Sequence, residues 1–184
     1  MDRTDVGIAL LAIARGAIAR ELDLEHAEQG APPELACIGA TFVTLRRDGE
    51  LRGCIGTVEA WRTLADDVRA NALAAAFRDP RFSPLRAREL AHLAIEVSVL
   101  NPSERMPERQ EEALAAALRP GVDGVVLECN RHRATFLPQV WAQLPRPQDF
   151  LRALKCKAGL GESFWSDEVR VSRYTVEKFT EDAA

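Results

Sequence analysis

The spacing of apolar side chains makes the first element a helix. Ile8, Leu11, Ala14, Ile18 and Leu22 recur at helical spacing, Thr4 can cap the start, and a polar stretch through Gly30, Pro32 and Pro33 ends it. The period then changes. Ile38 to Leu45 and Glu50 to Ile55 are strand-like runs joined near Asp48-Gly49, a dipeptide that favours a two-residue hairpin turn. Thr63-Leu64-Ala65-Asp66 resembles a capping box with Asp in place of Glu, and it opens an alanine-rich helix to about Phe77. Asp79-Pro80 stops that helix, and Ser83-Pro84 predicts a short second one with proline in its first turn.

Leu93 to Leu100 alternates as a strand, with Ile95, Val97 and Val99 facing one way and Glu96 and Ser98 the other. Glu108, Glu111 and Glu112 head a helix that Arg119-Pro120-Gly121 closes, since acids suit the positive end of the dipole. Strands over Gly124 to Cys129 and Arg133 to Leu137 follow, around the turn Asn130-Arg131-His132. Pro147 and Gly159 then bracket a last helix. Val169 to Phe179 is a final strand whose apolar phase shifts between Val171 and Tyr174, as a bulge would shift it. No period of roughly 20 to 50 residues recurs. Hairpins mixed with helices, without regular βαβ alternation, predict an α+β fold, mainly antiparallel sheet with flanking helices.

Composition narrows the function classes. At 184 residues the chain fits one domain, or one core with a smaller lobe, and needs no metal or disulfide for stability. Lys and Arg number 24 against 28 Asp and Glu, a net charge of −4, so there is no global attraction for nucleic acid or an anionic membrane. A local basic patch remains open. The start, Met1 to Asp5, carries acids where a signal peptide wants positive charge, and Arg15 breaks the apolar stretch behind it. Cys37, Cys54, Cys129 and Cys156 lack the close pairing of metal and redox motifs. Reduced thiols in a cytoplasm are therefore expected, with no metal and no cofactor.

Chemistry concentrates in Leu51-Arg52-Gly53-Cys54-Ile55-Gly56-Thr57. Counting outward from a two-residue turn sets Arg47 opposite Glu50, Leu45 opposite Arg52, Val43 opposite Cys54 and Phe42 opposite Ile55. Phe42 and Ile55 then point into the core, and Arg52 shares the other face with Cys54. A guanidinium near a thiol favours the thiolate, the form that attacks electrophiles. Gly53 and Gly56 let a ligand or second backbone approach. The competing reading is a small buried cysteine in a glycine bulge.

This heptapeptide resembles the signature of the AMMECR domain family, and more closely the branch tied to the bacterial AmmeMemoRadiSam system. Further blocks match in order over nearly the whole chain. They are Asn71-Ala72 with Ala75 to Phe82, Ile95 to Leu100, Phe136-Leu137-Pro138-Gln139-Val140, and Lys157-Ala158-Gly159-Leu160. Trp141 to Pro147 departs from the family's longer form, which carries a histidine and a tryptophan there. The resemblance implies a single domain over 1–184. It implies a large lobe from both chain ends (about 1–56 and 121–184), a smaller middle lobe (about 57–120), and the Cys54 turn near the cleft between them. It also implies a Memo-like protein and a radical S-adenosylmethionine enzyme as partners.

The remaining candidates each carry two readings. Asn71, a poor helix former inside an alanine-rich helix, either faces a ligand or bonds a neighbouring loop. Gln139 at a strand end either orients a ligand or satisfies loop backbone. Arg78, Arg81, Arg86 and Arg88 could hold a phosphate or carboxylate, or form a solvated face with Asp79 and Glu89 interleaved. His26, His92 and His132 show no ligand spacing. Two functions follow. One is an enzyme or enzyme component that uses Cys54 on a small electrophilic or radical-derived substrate, with Arg52, Gly53, Gly56, Asn71 and Gln139 as binding residues. The other is a non-catalytic adaptor that presents the same turn to a partner protein or peptide.

Overall fold

A computed structural model describes residues 2–25 and 30–181, and His26 lies outside them. In chain order the first elements are α1 (Arg3–Glu21), β1 (Ile38–Arg47), β2 (Glu50–Gly56), β3 (Arg62–Thr63), α2 (Leu64–Phe77) and β4 (Leu93–Leu100). There follow β5 (Glu104–Arg105), α3 (Glu111–Ala117), β6 (Gly124–Cys129), β7 (His132–Phe136), α4 (Pro147–Lys157), β8 (Arg170–Tyr174) and β9 (Val176–Thr180). The fold is α+β with antiparallel pairing, and it divides into two compact units.

The first unit comprises residues 1–100 and 177–184. Its sheet runs β2-β1-β4-β9, with β3 paired to the start of β1. The β1–β2 turn has Asp48 and Gly49 at φ 53° and 82°, the left-handed geometry that matches strand twist. Val43, Leu45, Ile95 and Val97 project from one face of the sheet and bury against Leu10 and Ile18 of α1 and Val68 and Ala72 of α2. Asp2, not Thr4, caps α1: its side chain accepts the Asp5 N–H at 2.9 Å. Thr63 caps α2 by accepting the Asp66 N–H.

The second unit, residues 101–176, carries the sheet β5-β8-β6-β7. Val125 and Leu127 pack there with Leu114 of α3 and with Phe150, Leu151 and Leu154 of α4. Trp141 stacks on Phe150 at 3.8 Å and donates its indole N–H to the Asp123 carbonyl. Gly159, at φ 79°, ends α4 as its position past the helix predicted.

Three expectations need correction. The division falls after Leu100 and before Glu177, not near 56 and 120. The reason is that α2 and β4 bury their apolar faces in the core of the Cys54 sheet, while β6, β7 and α4 build a separate one. The final strand is two strands. Val171 and Tyr174 belong to β8 beside β6, whereas β9 joins β4, so the phase shift marks a change of sheet and no bulge. No helix begins at Ser83-Pro84. A 3-10 turn forms at Ala87–His92 instead, with the Arg86 N–H donating to the buried Glu89 carboxylate at 2.9 Å. Among the described residues no helix is long and apolar enough to cross a membrane.

Candidate functional site

The register of the hairpin departs from the simple count. Arg47 pairs with Glu50 and Arg46 with Leu51, but then Leu45 pairs with Gly53, Thr44 with Cys54, Val43 with Ile55 and Phe42 with Gly56. Arg52 is the extra residue of a bulge. Beyond it every side chain changes partner. Ile55 still enters the core, but Phe42 does not: it lies over Gly56 on the opposite face, alongside Thr44 and Cys54.

The bulge sends Arg52 away from the thiol. Its Nε donates to Glu89 at 3.0 Å and its Nη2 to the Ser83 carbonyl at 2.9 Å. Arg52 is therefore taken up by Glu89 and Ser83, whereas the simple count set it on one sheet face with Cys54. The glycines answer to packing. A Cβ on Gly53 would lie 2.2 Å from the Ala75 carbonyl oxygen, so α2 can cross β2 only over glycine. A Cβ on Gly56 would sit inside the Phe42 ring at the same separation.

Cys54 itself is half-buried on edge strand β2, and both of its backbone polar groups are held from the loop after α2. Its N–H donates to Asp79 Oδ2 at 2.9 Å, and its carbonyl accepts from Arg81 Nη2 at 3.1 Å. Asp79 and Arg81 lock each other through two further side-chain bonds of 2.9 and 2.7 Å. This clamp closes the strand edge that would otherwise be open. Since its N–H points away from β1, Cys54 forms a non-hydrogen-bonded pair with Thr44, the pairing that brings side chains closest. The Thr44 hydroxyl accordingly donates to Sγ at 3.3 Å.

The electrostatics follow the clamp. Arg81, then the backbone amides of Cys54 and Arg81, hold the Asp79 carboxyl well below the usual carboxylate range, against a smaller opposing effect of burial. The charged form of Arg81 is favoured in turn, by Asp79 foremost and by Cys54 in lesser part. Its guanidinium remains half-exposed. The cation held at Cys54 is Arg81, bonded to the Cys54 carbonyl.

Asn71 is buried and ties α2 to β1 and to the residue after β2. Its amide donates to the Thr41 carbonyl at 3.0 Å and to Asp67 Oδ2 at 2.9 Å, and its oxygen accepts from the Thr57 hydroxyl at 3.3 Å. Gln139 is exposed, in the 3-10 turn Pro138–Ala142 of the second unit. Cys37 and Cys156 are exposed, Cys129 is buried in the second core, and the half-buried His132 ring bonds the Ala158 carbonyl. Among the described residues no three His, Cys, Asp or Glu side chains cluster as metal ligands.

Sequence reasoning missed Asp79, Arg81 and Thr44 as members of the site. A signal was present. Thr41 and Thr44 interrupt an otherwise apolar central strand, and an acid one residue from an arginine across Pro80 is a ready local ion pair.

Residues 11–179 match the AMMECR1 family. A protein of Methanothermobacter thermautotrophicus is 39% identical over 143 residues, covering 77% of this chain and 74% of that protein. One of Thermotoga maritima is 37% identical over 155 residues, 83% of this chain and 84% of its own. In three dimensions the chain is similar to an uncharacterized protein of Pyrococcus horikoshii, with a TM-score of 0.84 and 31% identity over 98% of this chain and 94% of that one.

Proposed function

The chain belongs to the AMMECR1 family, and from that premise we propose that it is a cytoplasmic enzyme or enzyme component whose working group is the Cys54 thiol. The observation that carries this reading is the side-chain shell of Cys54. A half-buried sulfur accepts a hydroxyl hydrogen bond from Thr44, and the half-exposed Arg81 guanidinium is anchored on the carbonyl of the same residue. A cation next to a thiol stabilises sulfur's negative charge and attracts anionic substrate groups. Holding both the N–H and the carbonyl of Cys54 from one loop restricts where the sulfur can go, which is the positional precision a reacting group needs. The substrate is a small electrophilic or radical-derived molecule. Sulfur adds to the electron-poor carbon of a polarised double bond, the π pair moves to the substrate's heteroatom, and that atom takes up a proton as the thiol gives up its own, so no leaving group or oxidant is needed. The signature's likeness to the AmmeMemoRadiSam branch supports a Memo-like protein and a radical S-adenosylmethionine enzyme as the companions that make or consume that molecule.

One observation favours the adaptor reading. Trp61 is 68% exposed a few residues past the turn, with the Arg62 guanidinium 4.7 Å from its ring, a surface suited to a peptide. A mass-resolved survey of adducts and ligands on the purified protein separates the two. The enzyme reading expects a covalent or retained small molecule that Cys54→Ala abolishes. A tight protein complex that survives Cys54→Ala and fails with Trp61→Ala would establish the adaptor.

A further inference from the structure

The bulge that turns Arg52 away from Cys54 carries it beneath a second feature of the first unit. A polar cavity of about 450 Å³ is lined by Arg47, Ser83, Arg86, Arg88, Glu89 and His92. Arginines reach it from separate parts of the chain. Arg47 comes from the end of β1, and Arg86 and Arg88 from the 3-10 turn and its approach.

Their carboxylate partners are few. Glu89 has its two oxygens occupied by Arg52 Nε at 3.0 Å and by the Arg86 backbone N–H at 2.9 Å, and Arg47 stands off at 3.6 Å. Asp48 offers Arg47 only a surface contact at 3.5 Å. Among the described residues no carboxylate pairs with the side chains of Arg86 or Arg88. Arg47, Arg52, Arg86 and Arg88 thus share two carboxylates, an excess of two positive charges before His92 is considered. The chain as a whole carries −4, so this is a local concentration and no consequence of a generally basic surface.

Converging like charges costs free energy that an unbuilt surface would avoid by splaying its side chains. Here the ground beneath is fixed. Glu89 is buried, and it pins the backbone of Arg86 and the side chain of Arg52. Arginine's planar fork matches the oxygens of a phosphoryl group, and the excess of two charges matches its dianion better than a carboxylate's single charge. The cavity volume lies in the range of small-molecule sites.

We infer that this cavity binds the phosphoryl group of a soluble phosphorylated small molecule, through Arg47, Arg86 and Arg88. It is a site separate from the Cys54 thiol, and it stands whether or not the thiol is reactive.

Calorimetric titration of the full chain with phenyl phosphate and with benzoate, at constant ionic strength, tests it. Saturable binding of phenyl phosphate about tenfold or more tighter than benzoate is expected. The double variant Arg86→Gln/Arg88→Gln, both exposed residues, should weaken it at least about tenfold, and Arg88→Gln alone by a smaller factor. Arg152→Gln, which removes a surface charge from α4, should change nothing. No saturation into the millimolar range, or affinity indifferent to both Arg88 variants, overturns the inference. Capture only by vesicles bearing a phosphatidylinositol phosphate, without phenyl phosphate binding, overturns the assignment to a soluble ligand.

Discussion

Asp67 and Asp79 stand near the two ends of α2, and each holds a strand through a backbone amide. Asp67 accepts the Thr41 N–H of β1 at 2.7 Å, and Asp79 accepts the Cys54 N–H of β2 at 2.9 Å. Each is fully buried and each pairs with an arginine, Arg62 and Arg81 respectively. The difference lies in what surrounds the pair. Around Asp67 the hydroxyls of Thr41 and Thr57, the Asn71 amide and Arg62 bond one another, and the Arg62 side chain is only 22% exposed. Around Asp79 the partner arginine is 53% exposed, and the next group along is the backbone carbonyl of Cys54. The same device thus serves as a closed brace at one end of the helix and as an open, charged frame at the other. A satisfied buried network specifies structure, while a half-open one leaves capacity for a ligand.

Substitutions at the two carboxylates should rank accordingly. Asp67→Ala should cost most, about 3 kcal/mol or more, because it leaves Arg62 largely buried and Asn71 short of a partner. Next comes Gly53→Ala, whose Cβ meets a helix carbonyl that cannot step aside, at about 1–3 kcal/mol. Asp79→Asn should cost about 2 kcal/mol, since Arg81 can turn to solvent while Cys54 loses a charge-assisted bond. Because the two units need not unfold together, amide exchange within β1 and β2 is the suitable readout for all three. Equal losses at Asp67 and Asp79 would erase the contrast.

Acid should sharpen it further. The folded-state pKa values of Asp79 and Glu89 are depressed, chiefly by Arg81 and Arg52 respectively. Their stabilising contribution is therefore complete above the ordinary carboxylate range and is lost as pH falls below about 4. Protection of the Cys54 amide should decline on that limb, and Asp79→Asn should flatten the decline. Protection unchanged between neutral pH and pH about 3 would remove the charge from the account of the clamp.

Much of the fold was legible because its signals are local. Asp48-Gly49 and the flanking apolar runs located the hairpin, Thr63 the start of α2, and Pro147 with Gly159 the span of α4. The failures share a physical cause: each depended on a partner distant in the chain. The bulge at Arg52 goes with a guanidinium engaged by Glu89 and Ser83, more than 30 residues on. The split of the last strand depends on two different neighbours, β6 and β4. At the candidate site, Cys54 and its glycines stood out by composition, but the arginine that holds the Cys54 carbonyl came from a loop 27 residues on.

The account rests on Arg81, not Arg52, as the cation beside an accessible Cys54 thiol. Peptide-resolved alkylation of native protein with anionic iodoacetate and neutral iodoacetamide measures this directly, as the ratio of the two rates at each cysteine. The ratio at Cys54 should exceed that at the exposed Cys37 and Cys156. It should fall to theirs in Arg81→Gln and stay in place in Arg52→Met. A Cys54 that does not label in the native state, or whose ratio is indifferent to Arg81→Gln, contradicts it.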